Sequence, residues 1–446
     1  MGALLSGASS VLLTAPTGAG KTVCFAHIAK RFLQAGKRVT ILVHRAELLE
    51  QVSRTLTELE VEHGCIAPDA PNHRMRPVQV ASVFTLVRRL ADYPAPDLAI
   101  IDEAHHAIPC TSWGKVLAAW KHTPRLGVTA TPERLSGEGL SDTFSDILHG
   151  PSVKDLIAQG HLSDYRLFAP PVTYTEGIHR RGGDYDKREL AAATDKPTIT
   201  GDAVTHYQAL AKGKRAIVFC VSIDHARHVA EQFNVAGIQS ASIDGTMQRY
   251  NRHRILEQYR YKELLVLTSC DLVSEGFDLP AIEVAILLRP TQSLALYLQQ
   301  VGRALRPYPG KPYALILDHA GNALRHGLPD DERVWSLEGK EKRTAGESEK
   351  IIGCRTCGQC FAAVRSGVTV CPYCQYVFPI ESREVEQVDG VLEEIDRQML
   401  RVQQRREVGR AKEFTDLLAI QKQRGYKPGW AYYVQQARQR KKGVVV

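Results

Sequence analysis

The chain has 446 residues, 44% of them hydrophobic and 24% charged, with 10 cysteines and a formal net charge of +8. That length exceeds one hydrophobic core and predicts two or three domains. No stretch approaches the roughly 18 consecutive apolar residues of a membrane span, and the N-terminus lacks the basic flank of a secretory signal, so a cytoplasmic protein is expected.

The first element is the run Val11 to Thr14, which reads as a buried strand. It leads into APTGAGKT (residues 15 to 22) and then a helix with Phe25, Ile28, Ala29, Phe32 and Leu33 on one face. Strand, glycine turn and helix in this order form a phosphate-binding loop. Gly18 and Gly20 turn backbone N–H groups around a polyphosphate, with Thr17 and Ala19 in the same loop. Lys21 reaches the outer phosphates, and the Thr22 hydroxyl suits Mg²⁺. The first glycine of the usual pattern is Ala15 here.

Further strands are expected at RVTILVH (38 to 44), PVQVASV (77 to 83), LAIIDEA (98 to 104) and RLGVTAT (125 to 131), with helical patterns between them. The alternation predicts a parallel, doubly wound α/β domain over residues 1 to 150. In IIDEAH an apolar strand delivers Asp102 and Glu103 to the sheet's carboxyl edge, where such folds bind ligands. Asp102 suits the Mg²⁺ shell, and Glu103 suits deprotonating or orienting a water. Residues 151 to 200 carry PP, GG and mixed charge and read as a connector. The α/β grammar then restarts, with strands expected at RAIVFCV, SASIDG, ELLVLTS, EVAILLR and YALILDH. A second domain over 201 to 335 follows. Gln299, Arg303 and Arg306, spaced four and three apart, share one helix face.

APTGAGKT, DEAH (102 to 105), TAT (129 to 131), SEGFD (274 to 278) and QQVGRALR (299 to 306) resemble motifs I, II, III, V and VI of the DEAD/DEAH-box superfamily 2 helicases. The motifs stand in the right order, and with DHAGN at 318 to 322 the resemblance covers about 70% of the chain. The wording EGFDLP and QQVGRALRP is most similar to the DNA helicases and translocases grouped with restriction-enzyme motor subunits and phage helicases.

The resemblance implies two tandem RecA-like domains and an ATP hydrolase acting as a nucleic-acid helicase, on DNA more than RNA. A duplex-remodelling translocase and an ATP-switched binding adaptor carry the same motifs. It also implies that Gly276 and Asp278 contact nucleotide, and that Arg303 and Arg306 act as arginine fingers. His105, Thr129 and Thr131 would couple hydrolysis to domain closure. His44 and Arg45 match motif Ia and Ser82 the next strand end, positions that contact nucleic acid; Cys270 stands where a motif V threonine is usual. Relatives carry an adenine-reading segment upstream of the loop, whereas only MGALLSGASS precedes it here. ALLSGA reads as the end of a helix, so a trimmed start is expected.

Five cysteines fall within residues 354 to 374. The pairs Cys354/Cys357 and Cys371/Cys374 match a zinc ribbon over residues 350 to 380, with Cys360 competing for a ligand position. The ribbon reads as a module separate from the ATPase, and its contact with nucleic acid is open. From 383 to 446 a helical tail is expected. Residues 397 to 446 carry 13 Lys/Arg against 3 Asp/Glu, which confines the basic character to this end. Tyr426, Trp430, Tyr432 and Tyr433 among those cations suit either stacking on bases or packing in a helical hairpin.

Overall fold

The computed structural model describes residues 9–68, 70–71, 73–134, 138–169, 178–181, 184–186, 189–190, 197–270, 282–338, 353–379, 407–408, 410–411, 413–424, 426–427 and 429–441. The first domain is a seven-stranded parallel sheet in the order β3-β4-β2-β5-β6-β1-β7. Its strands are β1 (Ser10–Thr14), β2 (Val39–Val43), β3 (His63–Ile66), β4 (Val78–Ser82), β5 (Leu98–Asp102), β6 (Arg125–Thr129) and β7 (Asp146–His149). Every residue of β2 and β5 is buried, as expected of central parallel strands covered on both faces. Alternation along the strands splits the core in two. Ile41, Val80, Ile100 and Val128 meet α1 (Lys21–Gln34) and α2 (Ala46–Glu58), while Leu12, Leu42, Ala99 and Ile101 meet Trp113, Val116 and Trp120 on the other face.

The second domain repeats the plan with six parallel strands in the order β12-β13-β11-β14-β15-β8. These are β8 (Tyr165–Phe168), β11 (Ala216–Phe219), β12 (Ser240–Ile243), β13 (Val266–Ser269), β14 (Val284–Leu287) and β15 (Ala314–Asp318). Its helices include α6 (Pro197–Leu210), α7 (Ile223–Val235), α8 (Arg249–Arg260) and α9 (Leu294–Ala304), followed by the short α10 (Asn322–His326). The first domain also holds α3 (Val83–Leu86) and α4 (Ser112–Ala119), and the connector holds α5 (Val153–Ala158).

The connector differs from expectation. Leu156 and Leu162 already belong to the second domain's core, and β8 adds the outermost strand of its sheet. The two-residue strands β9 (Arg180–Arg181) and β10 (Asp184–Tyr185) pair antiparallel beyond it.

The ribbon hairpin, β16 (Cys354–Thr356) with β17 (Ala363–Arg365), is also not separate from the α/β body. Phe168 of β8 bridges to Ala362, and the Ala169 N–H donates to the Phe361 carbonyl at 3.1 Å. Ala363 is buried in the second domain's core. Residues up to Phe378 form one compact unit and those from Pro379 a second. Within the second unit, α11 (Phe414–Gln423) and α12 (Trp430–Lys441) pack around Leu417 and Ala431, joined by Phe414, Ile420 and Trp430. Trp430 therefore serves the hairpin's own core, while Tyr432 and Tyr433 are exposed. The acidic start of the tail lies outside the described residues. Among the described residues no helix is long and apolar enough to cross a membrane.

Candidate active site

The loop after β1 follows its sequence. Gly18 and Gly20 take φ of 89° and 77°, left-handed values that glycine adopts without a Cβ clash, and Gly20 caps α1. Lys21 folds back, and its Nζ donates to the Ala15 and Pro16 carbonyls at 3.1 and 3.2 Å. Thr22 follows in the first turn of α1. Asp102 ends β5, is 4% exposed, and accepts the Glu103 N–H at 3.0 Å. Burial and then the neighbouring Glu103 charge push its carboxyl up from the usual range, with Lys21 opposing.

Glu103 has φ 49° and ψ 55°, left-handed for a non-glycine residue, and its buried Oε2 accepts no hydrogen bond. That oxygen lies 3.5 Å from His105 Nδ1. The same ring nitrogen is 3.0 Å from the Thr129 hydroxyl. Thr129 Oγ1 donates to the Thr131 carbonyl at 2.9 Å and accepts the Thr131 N–H at 3.2 Å. With the Thr129 proton on the Thr131 carbonyl, the Nδ1–H tautomer of His105 is the one that would donate to Thr129 Oγ1. The DEAH and TAT segments are thus wired together at the sheet edge. The His106 ring extends the wiring, 4.2 Å from the His105 ring and 4.2 Å from that of His44.

The second domain closes on this loop. Gly302 of α9 sits so near that a Cβ there would fall 2.6 Å from the Thr17 Cβ. A Cβ on Gly18 would meet Leu162 Cδ2 at 2.9 Å and the Arg306 Cγ at 3.7 Å, and Ala19 packs on the second domain's core. Gln299 and Arg303 are 4% and 5% exposed on the same helix, but α9 ends at Ala304, so Arg306 nears the loop from just past the helix end and not from the predicted three-residue face. Burial lowers the Lys21 pKa; Glu103 and Asp102 oppose that, and the Arg306 and Arg303 charges add to it. Three cations converge on two carboxylates, an arrangement suited to a Mg²⁺-bound polyphosphate.

His44 and Arg45 follow β2, and Ser82 ends β4, directly opposite Val43 in the ladder. The three candidate nucleic-acid residues therefore share one stretch of sheet edge. Two residues after Arg45, Glu47 pairs across the cleft with Arg252 of α8 at 3.2 Å. Neither that pair nor His106 is singled out by motif; the HH doublet after DEA is the only written signal for the latter. Gly276 and Asp278 lie outside the described residues.

The cysteine quartet requires a correction. Cys357, Cys360, Cys371 and Cys374 gather, with sulfurs all within 4.8 Å of one another, and Cys354 is not among them. Cys357 and Cys374 sulfurs are 3.5 Å apart, those of Cys360 and Cys371 3.7 Å. A tetrahedral ion with bonds of about 2.3 Å would set sulfurs roughly 3.8 Å apart, so the four fit zinc. Burial disfavours the Cys357 thiolate, but the N–H groups of Cys360 and Gln359 outweigh it and hold the pKa below the ordinary thiol value. Cys354 instead donates from Sγ to the Ala323 carbonyl at 3.0 Å, and burial pushes its pKa up to about 11. CRTCGQC contains two overlapping pairs of the same spacing; packing against the second domain removes the first.

Fold and site define a class of protein, an ATPase with two tandem RecA-like domains. Residues 3–134 match the family model of the type III restriction enzyme res subunit, and residues 201–308 that of the helicase conserved C-terminal domain. The chain is 32% identical over 394 residues to a 51.5 kDa protein of a Lactococcus phage, covering 88% of this chain and 83% of the relative. It is 27% identical over 340 residues to IRC3 of Saccharomyces cerevisiae, provisionally named an ATP-dependent helicase. That match covers 71% of this chain and 49% of IRC3, so the chain spans about half that relative's length. The type ISP restriction-modification enzyme LlaBIII, solved bound to DNA, shares the fold with a TM-score of 0.52 and 17% identity over 71% of this chain and 26% of that one. The chain belongs to the superfamily 2 helicases, ATP hydrolases acting on nucleic acid, in the branch that includes restriction-enzyme motor subunits.

Proposed function

We propose that the chain is a DNA helicase that turns closure and reopening of its two domains into movement along a strand. The observation that carries this reading is the contact of Gly302 with Thr17, which sets a second-domain arginine helix directly on the phosphate loop. ATP bound there is held by the N–H groups of Thr17 to Thr22 and by Lys21. Mg²⁺, carried by Thr22 and Asp102, would neutralise phosphate charge. Glu103 accepts a proton from the attacking water as the water's oxygen forms a bond to the γ-phosphorus. The bond to the β–γ bridging oxygen breaks, and that oxygen leaves on ADP. Arg303 and Arg306 stabilise the charge that develops, while Gln299 orients the water. Gly276 and Asp278 complete the nucleotide's contacts from the second domain.

Coupling runs from Glu103 through His105 to Thr129 and Thr131, and through His106 to His44. The last step reaches the edge where His44, Arg45 and Ser82 would hold a strand's phosphates. Zinc on Cys357, Cys360, Cys371 and Cys374 holds the ribbon's fold. DNA is favoured by the motif wording and by the DNA-bound LlaBIII. The terminal hairpin, with Tyr432 and Tyr433 exposed in the basic segment, supplies a further contact to single strands.

Forked and blunt DNA duplexes with one labelled strand test the reading. ATP-dependent displacement from the fork, absent in Glu103→Gln, is expected. ATP turnover without displacement from either substrate would replace unwinding by duplex remodelling.

A further inference from the structure

Between the second domain and the ribbon the chain returns to the first domain, which none of the nucleotide or strand contacts requires. Leu328 belongs to the second domain's core, and Leu337 packs against the first domain's core beside Leu140. In the stretch between them Asp331, Arg333 and Trp335 are half-buried, while Glu332, Val334 and Ser336 are exposed. Such alternation belongs to an extended chain, which has little slack.

Both ends are fastened. At the first domain, the Leu140 and Ser141 N–H groups donate to the Leu337 carbonyl at 2.7 and 3.0 Å. At the second, Arg333 donates to the carbonyls of His326, Leu328, Pro329 and Asp331. The Leu328 N–H donates to Asp331 Oδ2 at 2.7 Å. The ribbon adds its own grip: Arg365 of β17 pairs with Asp330 at 2.8 Å and with Asp331, and Asp330 also accepts from the Tyr165 hydroxyl. The strap forms one wall of a cavity of about 560 Å³ between the domains. The other walls include Thr17 of the phosphate loop, Pro151 of the connector, and Leu298 and Gly302 of α9.

We propose that this strap is a tether limiting how far the ATP cleft opens, so that Arg365 and Leu337 are positioning residues for nucleotide binding that act by holding α9 near the phosphate loop. The proposal rests on the ATPase reading above. A cut tether lowers the fraction of protein already closed, while saturating ATP still completes the site.

The test compares the full chain with Arg365→Ala, Leu337→Asp, the double variant and Arg365→Lys. KM for ATP should rise about three- to tenfold in each single variant, since apparent affinity scales with the closed fraction, while kcat stays within about twofold. The double variant should be no worse than either single one, because a tether cut at both ends is the same as one cut once. Arg365→Lys should restore most of the affinity. Small-angle scattering of nucleotide-free protein should show a larger radius of gyration in the cut variants than in wild type. Unchanged KM and radius, or losses that multiply in the double variant, would overturn the tether. Should Leu337→Asp fail to fold, Leu337→Ala takes its place. An inactive wild type would fail the ATPase reading alone, because the scattering comparison still decides the strap.

Discussion

Glu103 is held left-handed at φ 49°, a conformation that costs a non-glycine residue on the order of 1–3 kcal/mol and persists where surrounding structure imposes it. Here β5 delivers it, His105 stands beside it, and its buried Oε2 accepts no hydrogen bond. Glu103→Gln should therefore keep ATP affinity within about threefold and lower kcat by at least about 10²-fold, because its work begins with the water. Lys21→Ala should do the reverse in emphasis, weakening ATP binding first, as measured by titration with a fluorescent ATP analogue. Equal turnover in Glu103→Gln and wild type would remove the residue from the chemistry. The placement of these residues was readable in the sequence because DEAH and GKT fix residue types at fixed places after strand ends. The Glu47–Arg252 pair was not, since its partners are 205 positions apart and carry no pattern; only the closed cleft brings them together.

The zinc ribbon separates two readings of one string of letters. CRTCGQC offers Cys354 with Cys357 or Cys357 with Cys360 at the same spacing, and the choice depends on which thiol the second domain buries. Cys360→Ser should lose most of the bound zinc, measured by metal analysis of purified protein, and lower the melting temperature. Cys354→Ser should retain about one zinc per chain. Zinc loss with Cys354→Ser and full retention with Cys360→Ser would restore the first pairing. Strands show the same division. VTILV and LAIID are apolar apart from Thr40 and the terminal Asp102 because helices cover both faces, and such runs stand out. HGCI, DILH and YRLF lie at sheet edges, where one side meets solvent or another element and polar residues are tolerated. For that reason β3, β7 and β8 are hidden in the sequence, and with them the connector's membership of the second sheet.

The molecule divides its charge as it divides its labour. The two α/β domains and ribbon are near neutral, and the excess of cations lies in residues 397 to 446. Removing those residues should flatten the dependence of log K for DNA on log salt. Each lost phosphate contact accounts for roughly 0.7 to 0.9 of slope, so three or four lost contacts are measurable. Basal ATPase should persist. Coincident slopes for the full chain and for residues 1 to 396 would show that the tail's cations meet no phosphate. The larger claim is that the first domain cannot hydrolyse ATP alone, because α9 of the second and the turn that follows it bring Arg303 and Arg306 to the loop that carries Lys21. Steady-state ATP hydrolysis by wild type and Arg303→Ala, each with and without single-stranded DNA, tests that claim most directly. DNA should stimulate wild type, and Arg303→Ala should lose at least about 10²-fold in kcat with KM for ATP little changed, as befits a charge acting on the transition state. Wild-type kcat in Arg303→Ala would contradict a site shared between the two domains.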